Sequence, residues 1–353
     1  MTIHQRKSHF IELGKFLNQF SRDGIQLNSD VINNAEFFES FKEQIERAIH
    51  YNGWFTPDNI LFNLEGWSES LTEEKLDKWL KPYDFENINP KTVGIVLAGN
   101  IPLVGLHDFI SVLISGHKVL VKQSSNDMKL LPILAEYLIA LDPYYKAKIE
   151  FTEGRMNNFE AVIATGSNNT SRYFEYYFAN KSAIIRKNRN SVAVLTGEET
   201  LKELENLGHD IFRYFGLGCR SVSKLYVPEN YDFDAFYKAV QKPWSTLMNH
   251  AKYANNYDYN KAVYLMSEFK MLDNGFLVLK EDISFGSPIA TLFYETYSDK
   301  ENLKASLEEN KENLQCVVAK DLMPSEIEFG KTQYPELWDY ADSIDTLAFL
   351  QNL

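Results

Sequence analysis

Val93-Gly-Ile-Val-Leu-Ala98 is a short apolar run of strand length, and the segments after it set the architecture. A helical stretch at 103–115 leads to Lys118-Val-Leu-Val-Lys122, a second strand. Residues 130–140 read as a helix, 148–151 as a third strand and 161–165 as a fourth; a helix at 169–179 then precedes a fifth strand at 182–186. Strand and helix alternate with short connections, which predicts βαβ units on a parallel sheet, a nucleotide-binding architecture. Ligands of such sheets lie beyond the carboxyl ends of the strands, and Asn100, Lys122 and Gly166-Ser167 stand at those ends.

Upstream, residues 9–20 and 36–49 carry apolar side chains at helical spacing. Trp54-Phe-Thr-Pro-Asp58 is a turn into another helix, and Thr72-Glu-Glu-Lys75 opens a short one with acidic residues in its first turn. Downstream, 192–195 reads as a strand, and Thr200-Leu-Lys-Glu203 is a capping box opening a helix expected to run to about Phe215. Gly216-Leu-Gly218 is expected to end that helix. Cys219 comes immediately after, and Ser223-Lys-Leu-Tyr-Val227 is the next strand. The cysteine therefore sits in a glycine-bearing turn, where a substrate can approach the backbone closely. Two domains are expected: 1–190, a helical region plus the nucleotide-binding sheet, and 191–353, which holds the cysteine.

Charge and cysteine usage narrow the function class. The net charge is −13 and no basic stripe is present, which argues against a nucleic-acid partner. The start lacks the apolar stretch of a signal peptide, and the longest apolar region, 93–106, is too short to span a bilayer. A cytoplasmic protein with no integral membrane segment is expected. Two cysteines, Cys219 and Cys316, make no disulfide framework, and the seven histidines show no metal-ligand spacing. At 353 residues with 44% hydrophobic side chains the chain can bury two cores. The 14% aromatic content could line a greasy pocket, but general packing accounts for it more readily.

Four segments, in order, resemble the aldehyde dehydrogenase superfamily. Gly94-Ile-Val-Leu-Ala-Gly-Asn-Ile-Pro102 resembles its strand and Asn-x-Pro turn, Gly116-His-Lys-Val-Leu-Val-Lys-Gln-Ser-Ser125 its glycine, strand and lysine segment, Ala164-Thr-Gly-Ser167 its Thr-Gly-Ser turn, and Phe215-Gly-Leu-Gly-Cys-Arg-Ser221 its catalytic cysteine loop. A weaker fifth, Glu281-Asp-Ile-Ser-Phe-Gly-Ser-Pro288, resembles the Glu-x-Phe-Gly-Pro segment. Within the superfamily the chain is most similar to the bioluminescence-type (LuxC-like) fatty acyl-CoA reductases, through Trp54-Phe-Thr-Pro57, Lys252-Tyr-Ala-Asn-Asn-Tyr-Asp-Tyr-Asn260 and Asp339-Tyr-Ala-Asp-Ser-Ile-Asp-Thr346. The resemblance implies an aldehyde-dehydrogenase-like α/β fold, with a Rossmann-type cofactor domain, an α/β catalytic domain and a helical N-terminal region. It implies Cys219 as nucleophile, Asn100 as an oxyanion donor and Lys122 on the adenosine ribose. Ser125, Gly166 and Ser167 are implied near the cofactor. Glu281 and Asp282 compete for the nicotinamide ribose, because one extra residue precedes Phe285.

The chemistry fits these residues. A thiolate is both a strong nucleophile and a good leaving group, so it can exchange an acyl for an aldehyde oxidation state. The oxyanion formed on the way needs donors, and the Cys219 N–H with the Asn100 amide are the expected pair. A free thiol has a pKa of about 8.5, so Cys219 needs help, for which Arg220 and the nicotinamide ring are candidates. Two departures from the superfamily pattern carry information. Arg186, in Arg186-Lys-Asn-Arg-Asn190, stands where hydrolytic members place a glutamate base, which favours reductive or acylating chemistry. Lys122-Gln-Ser-Ser125 replaces Lys-Pro-Ser-Glu, removing a charge that would repel a ribose 2′-phosphate.

The expected activity is reduction of an acyl-CoA or acyl-carrier thioester with NADPH, NADH being allowed, by a homodimer without metal. Rival readings are acyl phosphate reduction, with Arg213 and Arg220 as phosphate ligands, aldehyde oxidation, or a silent acyl- or nucleotide-binding protein. Cys316 and His107 read as core residues, and His250 and Tyr257 have no physical case for catalysis.

Overall fold

The computed structural model describes all 353 residues and divides into two units, Met1–Lys187 with Glu336–Leu353, and Asn188–Pro335. The first begins with helix α1 (Ile3–Leu17), which is opened by a Thr2/Gln5 capping box. A two-residue hairpin, β1 (Phe20–Ser21) and β2 (Gly24–Ile25), leads to α2 (Asn34–Tyr51), α3 (Pro57–Ser70) and α4 (Glu73–Leu80). Thr56 and Thr72 cap α3 and α4 by accepting backbone N–H groups three residues on.

The alternation then appears: β3 (Thr92–Val96), α5 (Leu106–Ile114), β4 (Lys118–Lys122), α6 (Leu130–Leu141), β5 (Ile149–Phe151), β6 (Ala161–Thr165), α7 (Asn168–Tyr177) and β7 (Ser182–Arg186). The five strands are parallel, in the order β5-β4-β3-β6-β7. Val93, Ile95, Val119, Val121 and Ile163 are at most 1% exposed, as expected of strands covered on both faces. The core joins this sheet to the N-terminal helices; Phe16, for example, stacks on Tyr137 with ring centroids 4.4 Å apart.

The second unit contains β8 (Asn190–Val194), α8 (Leu201–Phe212), β9 (Val222–Pro228), α9 (Phe233–Trp244), α10 (Ala251–Met266), β10 (Met271–Asp273), β11 (Val278–Glu281), β12 (Thr291–Tyr297), α11 (Lys300–Glu309) and β13 (Leu314–Val318). Its sheet runs β10-β11-β12-β9-β8-β13, parallel except for β10. Cys316 is buried in β13.

Three expectations need correction. Helix α5 starts at Leu106, not 103, because Leu103 takes a left-handed backbone (φ 52°). Helix α8 ends at Phe212, and the turn after it is left-handed at Tyr214, Phe215 and Gly216 (φ 54°, 58° and 75°), so the reversal begins two residues before the first glycine. Finally, 336–353 does not stay with the cysteine unit. Its last helix, α12 (Thr346–Gln351), packs on α5, and Leu337, Leu347 and Leu350 join the first unit's core. No helix is long and apolar enough to cross a membrane.

Candidate active site

The carboxyl ends of β4, β3 and β6, neighbours in the first sheet, carry three of the sequence-derived residues side by side. Asn100 is exposed in the loop after β3. It does not cap α5, whose N-cap is Gly105 without any side-chain cap. Gly99 lies so close to Ser124 that a Cβ would come within 2.4 Å of its hydroxyl. The loop of Asn100 and the 122–127 turn are thus packed together. Asn52 joins them further, its Nδ2 lying 3.4 Å from both the Gly99 and the Asn126 carbonyls. Asp127 accepts the Leu103 N–H at 2.8 Å, and burial lifts its carboxyl to about 6.

Lys122, half-buried at the end of β4, donates to the Gly154 carbonyl at 2.8 Å. An ammonium has three protons, so two are left for a ligand. Ser125 is exposed. Ser167 is the N-cap of α7 and accepts the Thr170 N–H at 3.3 Å. Gly166 precedes it where a Cβ would meet Thr170 and Phe174 at 3.0 Å. The bare backbone there opens onto a helix N-terminus, a place suited to an anion.

In the second unit, Cys219 is exposed in the loop before β9, and neither cysteine is in a disulfide. The Ser191 hydroxyl donates to the Cys219 carbonyl at 2.9 Å. Phe215, in the left-handed turn, packs its ring on His250 at 4.4 Å. His250 caps α10 by accepting the Tyr253 N–H through Nδ1. Buried Tyr253 and Tyr257 donate to the Phe276 carbonyl and to Asp273. Non-glycine residues in the left-handed region carry strain of about 1–2 kcal/mol each, which aromatic packing from α10 has to outweigh.

The 281–288 segment is fixed to the same end of the sheet. Ser223 donates to the Phe285 carbonyl at 2.7 Å and Lys224 to the Ile283 carbonyl at 2.9 Å. Gly286 lies against Asn190, where a Cβ would meet Oδ1 at 2.6 Å. Ser191 thus holds the cysteine loop while its neighbour Asn190 abuts the 281–288 loop. Of the two competing carboxylates, Asp282 is engaged by the Lys280 ammonium and by the Ser284 N–H at 2.9 Å. Glu281 is exposed at the end of β11.

The two arginines that flank the cysteine loop have these partners. Arg220 Nε donates to the Thr332 carbonyl at 2.6 Å, and buried Arg213 lies over the Trp244 ring at 5.7 Å. Arg186 is buried in an ion pair with Asp108 at 2.6 Å and donates to Thr346. No group of His, Cys, Asp or Glu could hold a metal ion.

The family described as acyl-CoA reductase (LuxC) matches residues 34–322. The chain belongs to the LuxC acyl-CoA reductase family. It is by that membership an oxidoreductase. Solved structures of aldehyde dehydrogenases share the fold at low identity. A P. syringae AldA indole-3-acetaldehyde dehydrogenase, in complex with NAD+ and IAA, aligns with a TM-score of 0.62 at 14% identity, over 95% of this chain and 75% of that one. The NAD+ complex of a Bacillus cereus aldehyde dehydrogenase gives 0.60 at 14%, over 91% and 73%. A Sinorhizobium meliloti NAD-dependent aldehyde dehydrogenase gives 0.63 at 13%, over 92% and 72%. No curated protein matches.

In this LuxC-family chain the sequence pattern did not single out Ser191, Ser223 and Lys224, the residues that tie down the cysteine loop and the 281–288 loop. The available signal was a lysine inside the otherwise apolar run Lys224-Leu-Tyr-Val227. A charge at the centre of a parallel sheet costs free energy unless it has a partner.

Proposed function

We propose that this enzyme reduces a fatty acyl-CoA, or a related acyl thioester, to the aldehyde with NADPH, through a thioester on Cys219. The observation that carries the reading is the family match over a chain whose exposed cysteine lies in a loop fixed by Ser191. The Cys219 thiolate attacks the acyl carbonyl, the new C–S bond forms, and CoA leaves as a thiolate that takes a proton from solvent. Reduction at the carbonyl carbon gives a thiohemiacetal oxyanion on Cys219. Collapse breaks the C–S bond, releases the aldehyde and restores the thiolate. The Cys219 N–H and the Asn100 amide are assigned to the oxyanion; losing one such donor typically costs about 2.7–4 kcal/mol of barrier.

A reduced nicotinamide supplies the hydride when bound. The residues fit such a group: Lys122 with two spare protons, the bare backbone of Gly166 before α7, and Glu281 outside the ties that occupy Asp282. Ser125 offers a hydroxyl and no carboxylate, which supports a 2′-phosphate, hence NADPH over NADH. We assign cofactor binding to the first unit and thioester chemistry to Asn188–Pro335. At the position of a water-activating glutamate stands the buried Arg186–Asp108 pair, which supports thiol transfer over hydrolysis.

The test is loss of NADPH absorbance with acyl-CoAs of increasing chain length, followed by aldehyde and free-thiol assays. Equal amounts of aldehyde and CoA, with NADPH preferred over NADH, are expected. NADPH binding without turnover on any acyl-CoA would overturn the CoA-dependent reading, and without turnover on an acyl-carrier thioester as well, the reductase reading as a whole.

A further inference from the structure

Lys224 lies inside β9 with its side chain fully buried. Its ammonium donates to Glu295 Oε2 at 2.6 Å and to the Ile283 carbonyl at 2.9 Å. It also faces the rings of Tyr226 and Phe285, at 4.8 and 5.4 Å from their centroids. Burying a charge costs free energy even when it is paired, and an apolar side chain of similar volume often serves stability as well or better. A lysine here does something an apolar residue cannot: it reaches across the sheet and grips the backbone of a loop. That loop needs a grip. Ile283 is 85% exposed, 282–288 contains no regular structure, and Phe285, partly buried beside Tyr226, is the side chain that anchors it.

We infer that Lys224, held by Glu295 and seconded by Ser223, is a positioning residue that sets the 281–288 loop for the cofactor and acts on the hydride step alone. The inference rests on the proposed function for its catalytic part. Lys224 touches neither the reacting atoms nor the cysteine loop. The Ile283 and Phe285 carbonyls are its points of leverage, directly and through neighbouring Ser223. Glu281 ends β11 just before these fixed points, so the direction of its carboxylate depends on where the loop is held. Displacement of a positioning group by about 1 Å can cost roughly 10²-fold in rate.

The experiment compares the full-length chain with Lys224→Met and Lys224→Arg. Three readouts are taken: the burst of CoA released from an acyl-CoA without nucleotide, single-turnover NADPH oxidation by the acylated enzyme, and hydrogen–deuterium exchange of 281–288 without ligands. Lys224→Met is expected to keep the burst within about 2-fold, to slow hydride transfer by roughly 10²-fold, and to speed exchange in 281–288. Lys224→Arg, which can still reach both acceptors, should recover most of the loss. Unchanged exchange in Lys224→Met, or equal loss of burst and hydride transfer, would overturn the inference. If Lys224→Met does not fold, Glu295→Gln weakens the same grip more gently and is expected to shift the same two readouts; Ser223 is left in place, because it also donates to the carbonyl of Ser191, which holds the cysteine loop. If the unaltered chain shows neither burst nor NADPH oxidation, the reductase reading falls, and exchange alone then decides whether Lys224 holds the loop.

Discussion

Two adjacent carboxylates stand at the end of β11 and directly after it, and their partners separate them. Side chains alternate along a strand, so Lys280 and Asp282 share a face while Glu281 takes the other. Asp282 is engaged by Lys280, which is itself only 8% exposed, and by the Ser284 N–H. Glu281→Gln is therefore expected to raise the KM for NADPH and slow hydride transfer, with little change in unfolding. Asp282→Asn should act the other way, costing about 1–2 kcal/mol of stability, below the 3–5 kcal/mol of a fully buried pair because Asp282 is partly exposed. Steady-state kinetics and urea titration of both variants check this; the reverse pattern would return the ribose to Asp282. The sequence could not choose between them, because the extra residue before Phe285 leaves the motif's register open. Nor could it show Lys224 holding Ile283, a contact made only once β9 and β12 pair. The turn that carries Cys219, by contrast, was legible, since Gly-Leu-Gly-Cys marks a turn on its own.

The element that positions Cys219 is the turn after α8. Apolar residues at 211, 212, 214 and 215 continue a helical pattern, which is why the helix reads on to Phe215. In the folded chain the backbone turns left-handed at Tyr214, held by aromatic contacts from α10 that no local pattern encodes. Gly216 is the one residue of the three that adopts this conformation without a Cβ penalty. A Cβ at Gly216 would also sit 3.3 Å from the Ile211 carbonyl. Gly216→Ala is expected to cost about 1–2 kcal/mol and lower the Tm by roughly 2–8 °C, as calorimetry would show. An unchanged Tm would mean that the turn relaxes freely. The βαβ alternation was readable nearly residue by residue, because strands buried on both faces are continuous apolar runs.

At the scale of the whole chain, the C-terminal segment is where sequence and structure part. Nothing in 336–353 announces its partners, which are far away in sequence. The Trp79 Nε1 donates to the Tyr340 hydroxyl at 2.9 Å, Tyr83 to Asp345 at 2.7 Å, and His117 Nε2 to the Leu350 carbonyl at 2.9 Å. His117 Nδ1 accepts the Lys91 N–H at 3.0 Å. A carbonyl can only accept and an N–H only donate, so this geometry demands the neutral ring. Burial accordingly lowers the His117 pKa from its ordinary 6.5, aided by nearby Lys148 and Arg6. Below that value the unfolded chain takes up a proton that the folded ring refuses, so this term removes stability as pH falls. His107, buried beside Asp108, acts in the same sense. Asp127 and Asp210, raised to about 6 by burial, oppose it over part of the range. The informative quantity is therefore the difference between the parent chain and His117→Gln. Between pH 7 and 5.5 the variant should lose less stability than the parent, by urea midpoint. Parallel pH profiles would contradict the assignment.

The central claim is that Cys219 carries the acyl group. The most direct measurement is intact mass, followed by peptide mapping, after mixing the chain with a long-chain acyl-CoA without nucleotide. One acyl group on the peptide containing Cys219, discharged as aldehyde on adding NADPH and absent from Cys219→Ala, is the expected result. No adduct at Cys219, or an adduct that NADPH leaves in place, would contradict it.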